Sequence, residues 1–228
     1  MSPNKSDDFF LILPNGEDSI CVVFTTPDEY PIQTIANMLR EKLPLAYEVI
    51  PAYESITLVF SEAACIEKQT ETLLTLLKQQ QYPKTEAGRH HVIPVCYDNR
   101  IATDLDTVCK QLQLSKAELI AYHTGTDYIV SMLGFQPGFI YLDGLVAELS
   151  LPRKATPDLN IAPGSIAIGG EQTGIYSLSS PGGWWVIGQT PMTLFEPLKA
   201  EPMSIAPGDS INFEEISLET YQEWLDAS

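Results

Sequence analysis

From about residue 127 to residue 215 the chain reads as short apolar runs punctuated by glycine and proline: QPGF, APGS, IGGEQTG, SPGGWW, IGQTP and APGD. Turn signals at that close spacing leave each run only the length of a strand, which suggests a compact β-barrel or sandwich. Ahead of it come a strand at 91–97 and a pair of helices, whose starts at Thr103–Asp106 and Ser115–Glu118 both fit the capping-box pattern. Tyr221, Trp224 and Leu225 mark a terminal helix expected to dock back.

The first third has a different texture. Apolar runs at 9–13 and 20–24 flank Pro14-Asn15-Gly16, the signal of a strand pair. Ile32, Ile35, Ala36, Leu39 and Leu43 recur at helical spacing until Pro44 ends the helix. Strands follow at 47–50 and 55–60, then a second amphipathic helix through Ile66, Thr70, Leu73, Leu74 and Leu77. The order β-β-α-β-β-α predicts a small two-layer α/β domain over residues 1–82. The polar stretch YPKTEAGR is read as a linker, placed at 83–90, with a second domain at 91–228. The fold class expected is α+β in two domains.

Composition narrows the function. Of 228 residues, 44% are apolar and 19% charged, and a chain this long hides roughly 70% of its extended surface without staples. Lys plus Arg number 13 against 30 Asp plus Glu, a net charge of −17, which argues against nucleic acid and an anionic membrane surface as partners. Phe9 to Leu13 follows Asp7-Asp8 and stops at Pro14, so it lacks the basic flank and length of a signal peptide. No apolar run approaches the ~20 residues that span a bilayer, and a soluble cytoplasmic protein is expected. Cys21, Cys65, Cys96 and Cys109 form no C-x-x-C and read as reduced core thiols.

The usual chemical motifs are absent. GGEQTG (169–174) has no lysine and is no P-loop, and no G-x-G-x-x-G opens a helix. His90 and His91 are adjacent, so a strand points them to opposite faces, and the cysteines do not cluster; no metal is expected. There is no G-x-S-x-G elbow, and Ser165 sits at a strand entry. His123, with Asp127 four residues on, is the one histidine away from the linker; a lone histidine is structural by default unless it faces a pocket.

Two segments invite more. Gly134 to Leu142 (GFQPGFIYL) sets three aromatics, Phe135, Phe139 and Tyr141, around the Pro137-Gly138 turn. Ser180-Pro181-Gly182-Gly183-Trp184-Trp185 sets free backbone beside large rings. A turn with open N–H groups beside aromatic walls suits a small polar ligand, and the same rings would also plug a barrel. Composition leaves both readings open.

These segments also carry a resemblance. GFQPGFIYL, Pro152-Arg153, APGSIAIGGEQTGIY, SPGGWW, IGQTP and APGD, in this order, resemble the B-type subunits of 5-oxoprolinase. That family includes the first part of allophanate-hydrolase-type (allophanate hydrolase subunit 1) and urea-carboxylase proteins, and the bacterial inhibitor of a sporulation histidine kinase. VIPAYESITLVF at 49–60, VIPVCY at 92–97, Asp104-Leu105 and His123 also fit, and the match runs over roughly 46–213. The resemblance implies a cyclophilin-like β-barrel as the second domain, a C-type subunit as stable partner and an A-type subunit as a further one. It implies a share in an ATP-dependent hydrolase that opens the lactam of 5-oxo-L-proline to L-glutamate. ATP is used by the assembled complex, and no cofactor is expected on this chain.

The site so implied joins Phe135, Pro137, Gly138, Phe139 and Tyr141 to Pro181, Gly182, Gly183 and Trp184. Arg153, Gln172, Gln189 and Thr190 are its further substrate-binding candidates, and His123 its candidate catalytic residue. Two positions depart from the family pattern. Pro157-Asp158 stands where a second Pro-Arg is usual, and Gln189 where a basic residue often follows the glycine. Arg153 is therefore expected to carry anion binding, Asp158 to oppose it, and Lys154 to point away along a strand. Rival readings are a regulator that blocks a histidine kinase, and a carboxyltransferase-like half of a urea-amidolyase-type enzyme, for which no biotin-carrying domain is encoded.

Overall fold

A computed structural model describes residues 5–6, 9–25, 32–61, 66–79 and 88–227. Cys65 and most of the expected linker, 83–87, lie outside the described residues. The chain divides into two compact units, residues 1–86 and 87–228.

In the first unit, β1 (Lys5–Ser6), β2 (Phe10–Pro14), β3 (Ser19–Phe24), β4 (Ala46–Pro51) and β5 (Ser55–Phe60) form an antiparallel sheet in the order β1-β2-β3-β5-β4. Strand alternation puts Phe10, Ile12, Ile20, Val22, Phe24, Ile56, Leu58 and Phe60 on one buried face. Helix α1 (Ile32–Lys42) supplies Ile35, Ala36 and Leu39 to that core, and α2 (Ile66–Gln79) supplies Leu73 and Leu77. This is the two-layer arrangement expected from the period-2 and period-3.6 patterns.

The second unit holds β6 (His90–Val95), α3 (Leu105–Leu112), α4 (Lys116–Thr124), β7 (Tyr128–Leu133), β8 (Ile140–Asp143), β9 (Asp158–Ile161) and β10 (Ser165–Gly169). It continues with β11 (Gln172–Ile175), β12 (Ser180–Gly182), β13 (Trp185–Gln189), β14 (Ser210–Glu215) and α5 (Leu218–Ala227). Seven strands run in the order β13-β10-β11-β8-β7-β14-β6, and a Cys96–Gln189 bridge just past β6 meets β13. The sheet is thereby nearly closed into a barrel. β6 and β14 pair in parallel; the other neighbours are antiparallel. Its core is mainly aliphatic, with Ile93, Val95, Val130, Leu142, Ile166, Ile168 and Ile187 among its buried members beside Tyr97, Tyr128 and Phe213. β9 and β12 make a separate two-stranded ribbon in which Asp158 lies opposite Gly182.

Three local expectations resolve differently. The capping box forms at Ser115, whose hydroxyl accepts the Glu118 N–H at 3.2 Å while the Glu118 carboxylate accepts the Ser115 N–H at 2.8 Å. It does not form at Thr103. The cap position of helix α3 falls one residue later at Asp104, whose carboxylate accepts the Val186 N–H at 2.8 Å, so tertiary contact overrides the local cap. Of the terminal helix only Tyr221 is buried, and Trp224 and Leu225 are exposed. Among the described residues no helix is long and apolar enough to cross a membrane.

Candidate functional site

The β7–β8 connection is the GFQPGF turn, and hydrogen bonds to residues 177 and 178 pin it. Gln136 Nε2 donates to the Leu178 carbonyl at 3.0 Å, and Ser177 Oγ donates to the Pro137 carbonyl at 2.7 Å. The clamp holds Phe135 at φ +65°, in the left-handed region that a non-glycine residue enters at a cost of about 1–2 kcal/mol. That backbone leaves the Phe135 ring 63% exposed at a rim.

Below the rim the rings pack edge to face. Phe139 meets Tyr141, Tyr176 and Trp184 with centroids 4.7, 4.9 and 5.7 Å apart, and Phe135 leans on Phe139 at 5.6 Å. Such tilted contacts match the positive ring edge to the negative face. Trp184 can lie here because Gly169 on β10 has no side chain: a Cβ would stand 2.7 Å from the indole. Gly182 similarly makes room for the Tyr176 hydroxyl, which would collide with a Cβ at that position.

Residues 152–154 run alongside this wall. The Lys154 N–H donates to the Gly183 carbonyl at 2.7 Å, and Trp185 Nε1 donates to the Pro152 carbonyl at 2.7 Å. The Arg153 guanidinium lies 5.6 Å over the Trp184 ring, and the Lys154 ammonium 5.4 Å from the Trp185 ring. The result is a cavity of about 340 Å³ lined by Phe135, Phe139, Tyr141, Arg153, Lys154, Pro157, Tyr176, Pro181, Gly182, Gly183 and Trp184. Burial pushes the Tyr176 phenol up to about 12, opposed by a hydrogen bond from the Trp184 backbone. Burial also raises Tyr141, with the Arg153 charge pulling the other way. Both stay protonated at neutral pH.

Eight of the expected residues thus share one cavity: Phe135, Phe139, Tyr141, Arg153, Pro181, Gly182, Gly183 and Trp184. Sequence reasoning misses Lys154, Pro157 and Tyr176. Tyr176 closes the APGSIAIGGEQTGIY run, and its signal is that of one more aromatic in the motif. Lys154, expected to turn away, does not: residues 152–157 form no strand, so alternation does not apply and both cations reach the cavity.

The remaining candidates do not line it. Pro137 and Gly138 shape the turn instead. Gln172 Nε2 donates to Asp143 at 2.9 Å, Gln189 Nε2 to the Pro163 carbonyl at 2.8 Å, and the Thr190 hydroxyl accepts the Met192 N–H at 3.2 Å. Asp158 also stands outside the cavity lining; it pairs with Lys154.

His123 belongs to the barrel core. Its side chain has no exposure, and its ring stacks on Phe213 with centroids 4.5 Å apart. Tyr97 Oη lies 2.7 Å from Nδ1, and Thr173 Oγ1 lies 3.2 Å from Nε2. Thr173 spends its own proton on the Ala167 carbonyl at 3.1 Å, so it accepts from Nε2–H and the tyrosine hydroxyl donates to Nδ1. The neutral tautomer is thereby fixed and fully partnered. Desolvation lowers this imidazole to about 3. The cavity lining contains no Ser, Thr, Cys, His, Asp or Glu among the described residues.

Residues 10–205 match the family described as carboxyltransferase domain, subdomain C and D. This chain belongs to that family. A relative from Haemophilus influenzae, named as the B subunit of 5-oxoprolinase, is 46% identical over 209 residues, covering 89% of this chain and 96% of that one. The B subunit so named in Bacillus subtilis (strain 168) is 36% identical over 208 residues, covering 85% of each chain. The fold also recurs in the Kluyveromyces lactis urea amidolyase structure, with a TM-score of 0.80 at 15% identity. That match covers 99% of this chain but only 16% of the longer one. The nearly closed barrel of this carboxyltransferase C and D chain is part of the fold shared with that structure.

Proposed function

We propose that this chain is the B-type subunit of an ATP-dependent 5-oxoprolinase and that its aromatic cavity holds 5-oxo-L-proline. The observation that carries the reading is the Arg153 guanidinium poised over Trp184 at the mouth of an aromatic cavity. A flat five-membered ring suits the Phe139, Tyr141 and Trp184 walls, and its carboxylate suits the guanidinium. The Tyr176 hydroxyl can donate to the lactam carbonyl.

Opening the ring breaks the amide C–N bond; water supplies hydroxyl to the carbonyl carbon, and the nitrogen leaves as an amine after taking a proton. An amide is a poor electrophile, so phosphoryl transfer from ATP to the carbonyl oxygen, with ADP leaving, precedes that attack; expulsion of the amine then leaves an acyl phosphate, and a second water releases phosphate to give the free carboxylate. Among the described residues the cavity lining offers no carboxylate, imidazole, thiol or aliphatic hydroxyl for either step. Partner subunits of the A and C types complete the enzyme and handle ATP.

The test is co-expression with candidate partner subunits, followed by an assay of ATP-dependent glutamate release from 5-oxoproline. The assembled complex is expected to turn over, with Arg153→Ala raising the Michaelis constant roughly 10- to 150-fold. Turnover indifferent to Arg153→Ala would remove the cavity from the reaction.

A further inference from the structure

Arg153 and Lys154 both line the cavity, but their charges are committed differently. Lys154 Nζ meets Asp104 at 2.5 Å and also pairs with Asp158, and its side chain is only 8% exposed. An ammonium held by two carboxylates has little left for a third anion, and drawing it away would strand both partners. Asp104 is itself fixed by the Val186 N–H at the start of α3, and Asp158 sits on the β9–β12 ribbon opposite Gly182. Arg153, by contrast, has no carboxylate partner among the described residues and rests on an aromatic face.

We propose that this charge arrangement makes the cavity selective for singly charged ligands. Arg153 binds one carboxylate. Asp104 and Asp158 hold Lys154 out of ligand binding, so a second negative charge finds no free cation and is repelled at a distance by the Asp158 carboxylate that stands behind Lys154, outside the lining. The inference rests on the lactam reading and adds which form of the substrate belongs here. The free lactam, with one carboxylate, fits; a phosphorylated lactam carries further negative charge and does not. Phosphoryl transfer accordingly takes place outside this cavity.

Calorimetric titration of the full chain, or of the assembled complex, tests this with ligands that differ in charge on one ring. The probes are 5-oxo-L-proline, its neutral carboxamide, and a lactam dicarboxylate. The carboxamide is expected to bind about tenfold or more weaker than the acid, and the dicarboxylate no tighter than the acid. In Asp158→Asn the dicarboxylate should gain several-fold over the monocarboxylate, because one added unit of positive potential acts twice on a dianion, and salt should shrink the gain. A dicarboxylate that binds wild type tenfold tighter would overturn the proposal without any variant, as would an unchanged ratio in folded Asp158→Asn. If no lactam binds but benzoate does, and outcompetes phthalate, the lactam reading fails while the charge rule stands. Binding of none of these probes overturns both.

Discussion

Both ring nitrogens of His123 are engaged within the barrel core, whereas the Arg153 guanidinium faces a cavity with no carboxylate among its described lining residues. Each lies against an aromatic ring, Phe213 in one case and Trp184 in the other. What separates them is satisfaction. A buried polar group whose partners are complete is held by the fold, and its removal costs stability. A cation whose partner is missing beside open aromatic surface has binding capacity left over. The contrast teaches that the fold completes the hydrogen bonding of the buried histidine and leaves the arginine without a carboxylate partner among the described residues.

The largest effect should come from breaking the core side of that contrast. His123→Ala empties a packed site and orphans Tyr97 and Thr173, for about 3 kcal/mol or more of stability measured by urea unfolding. The affinity of the remaining folded protein for 5-oxoproline should stay within about twofold. A large affinity loss without destabilisation would reverse the two roles.

Acid sharpens the same point. The folded-state imidazole titrates at about 3 against an ordinary value of 6.5, so in the window between them the unfolded chain binds a proton that the folded chain refuses. Stability from this group is complete above 6.5 and falls as pH drops toward 3, by up to about 1.4 kcal/mol per pH unit. His123→Gln removes the titrating group and should flatten that slope relative to wild type. Equal slopes would show that the ring is accessible to protons.

On the recognition side, Arg153→Ala should weaken carboxylate binding by about 1.5–3 kcal/mol while barely moving the melting temperature, since the residue is exposed. A comparable loss of stability would make Arg153 a structural strut. Gly169→Ala tests the wall that Arg153 rests on. Its Cβ would press into Trp184, an overpacking of about 1–3 kcal/mol that should lower both stability and ligand affinity.

The smallest contrast lies between the two helix starts. Ser115→Ala breaks a formed capping box and should cost about 1 kcal/mol, while Thr103→Ala should stay within about 0.5 kcal/mol. Thermal melts of the pair would decide, and equal losses would mean that Thr103 also caps.

Sequence reasoning reaches furthest where the signal is local. The period of Ile56, Leu58 and Phe60 and that of Ile35, Ala36 and Leu39 place strand and helix correctly, because burial on one face repeats within the element itself. The aromatic motif likewise identifies most of the cavity, since GFQPGF and SPGGWW each carry their rings beside a turn. It fails at Lys154, where alternation does not hold for a segment that is not a strand.

By itself, then, the sequence determined the order of elements, the strand-rich second half, the acidic balance of charge and the aromatic character of the site. Each of these is written in neighbouring residues or in plain composition. Only the tertiary structure decided that His123 lies with Tyr97 and Thr173 and that Lys154 is shared by Asp104 and Asp158. It alone seated Trp184 against Gly169. Charge compensation and hydrogen-bond satisfaction depend on which distant residues the barrel brings within a few ångströms, and that is a property of strand pairing rather than of any local stretch of chain.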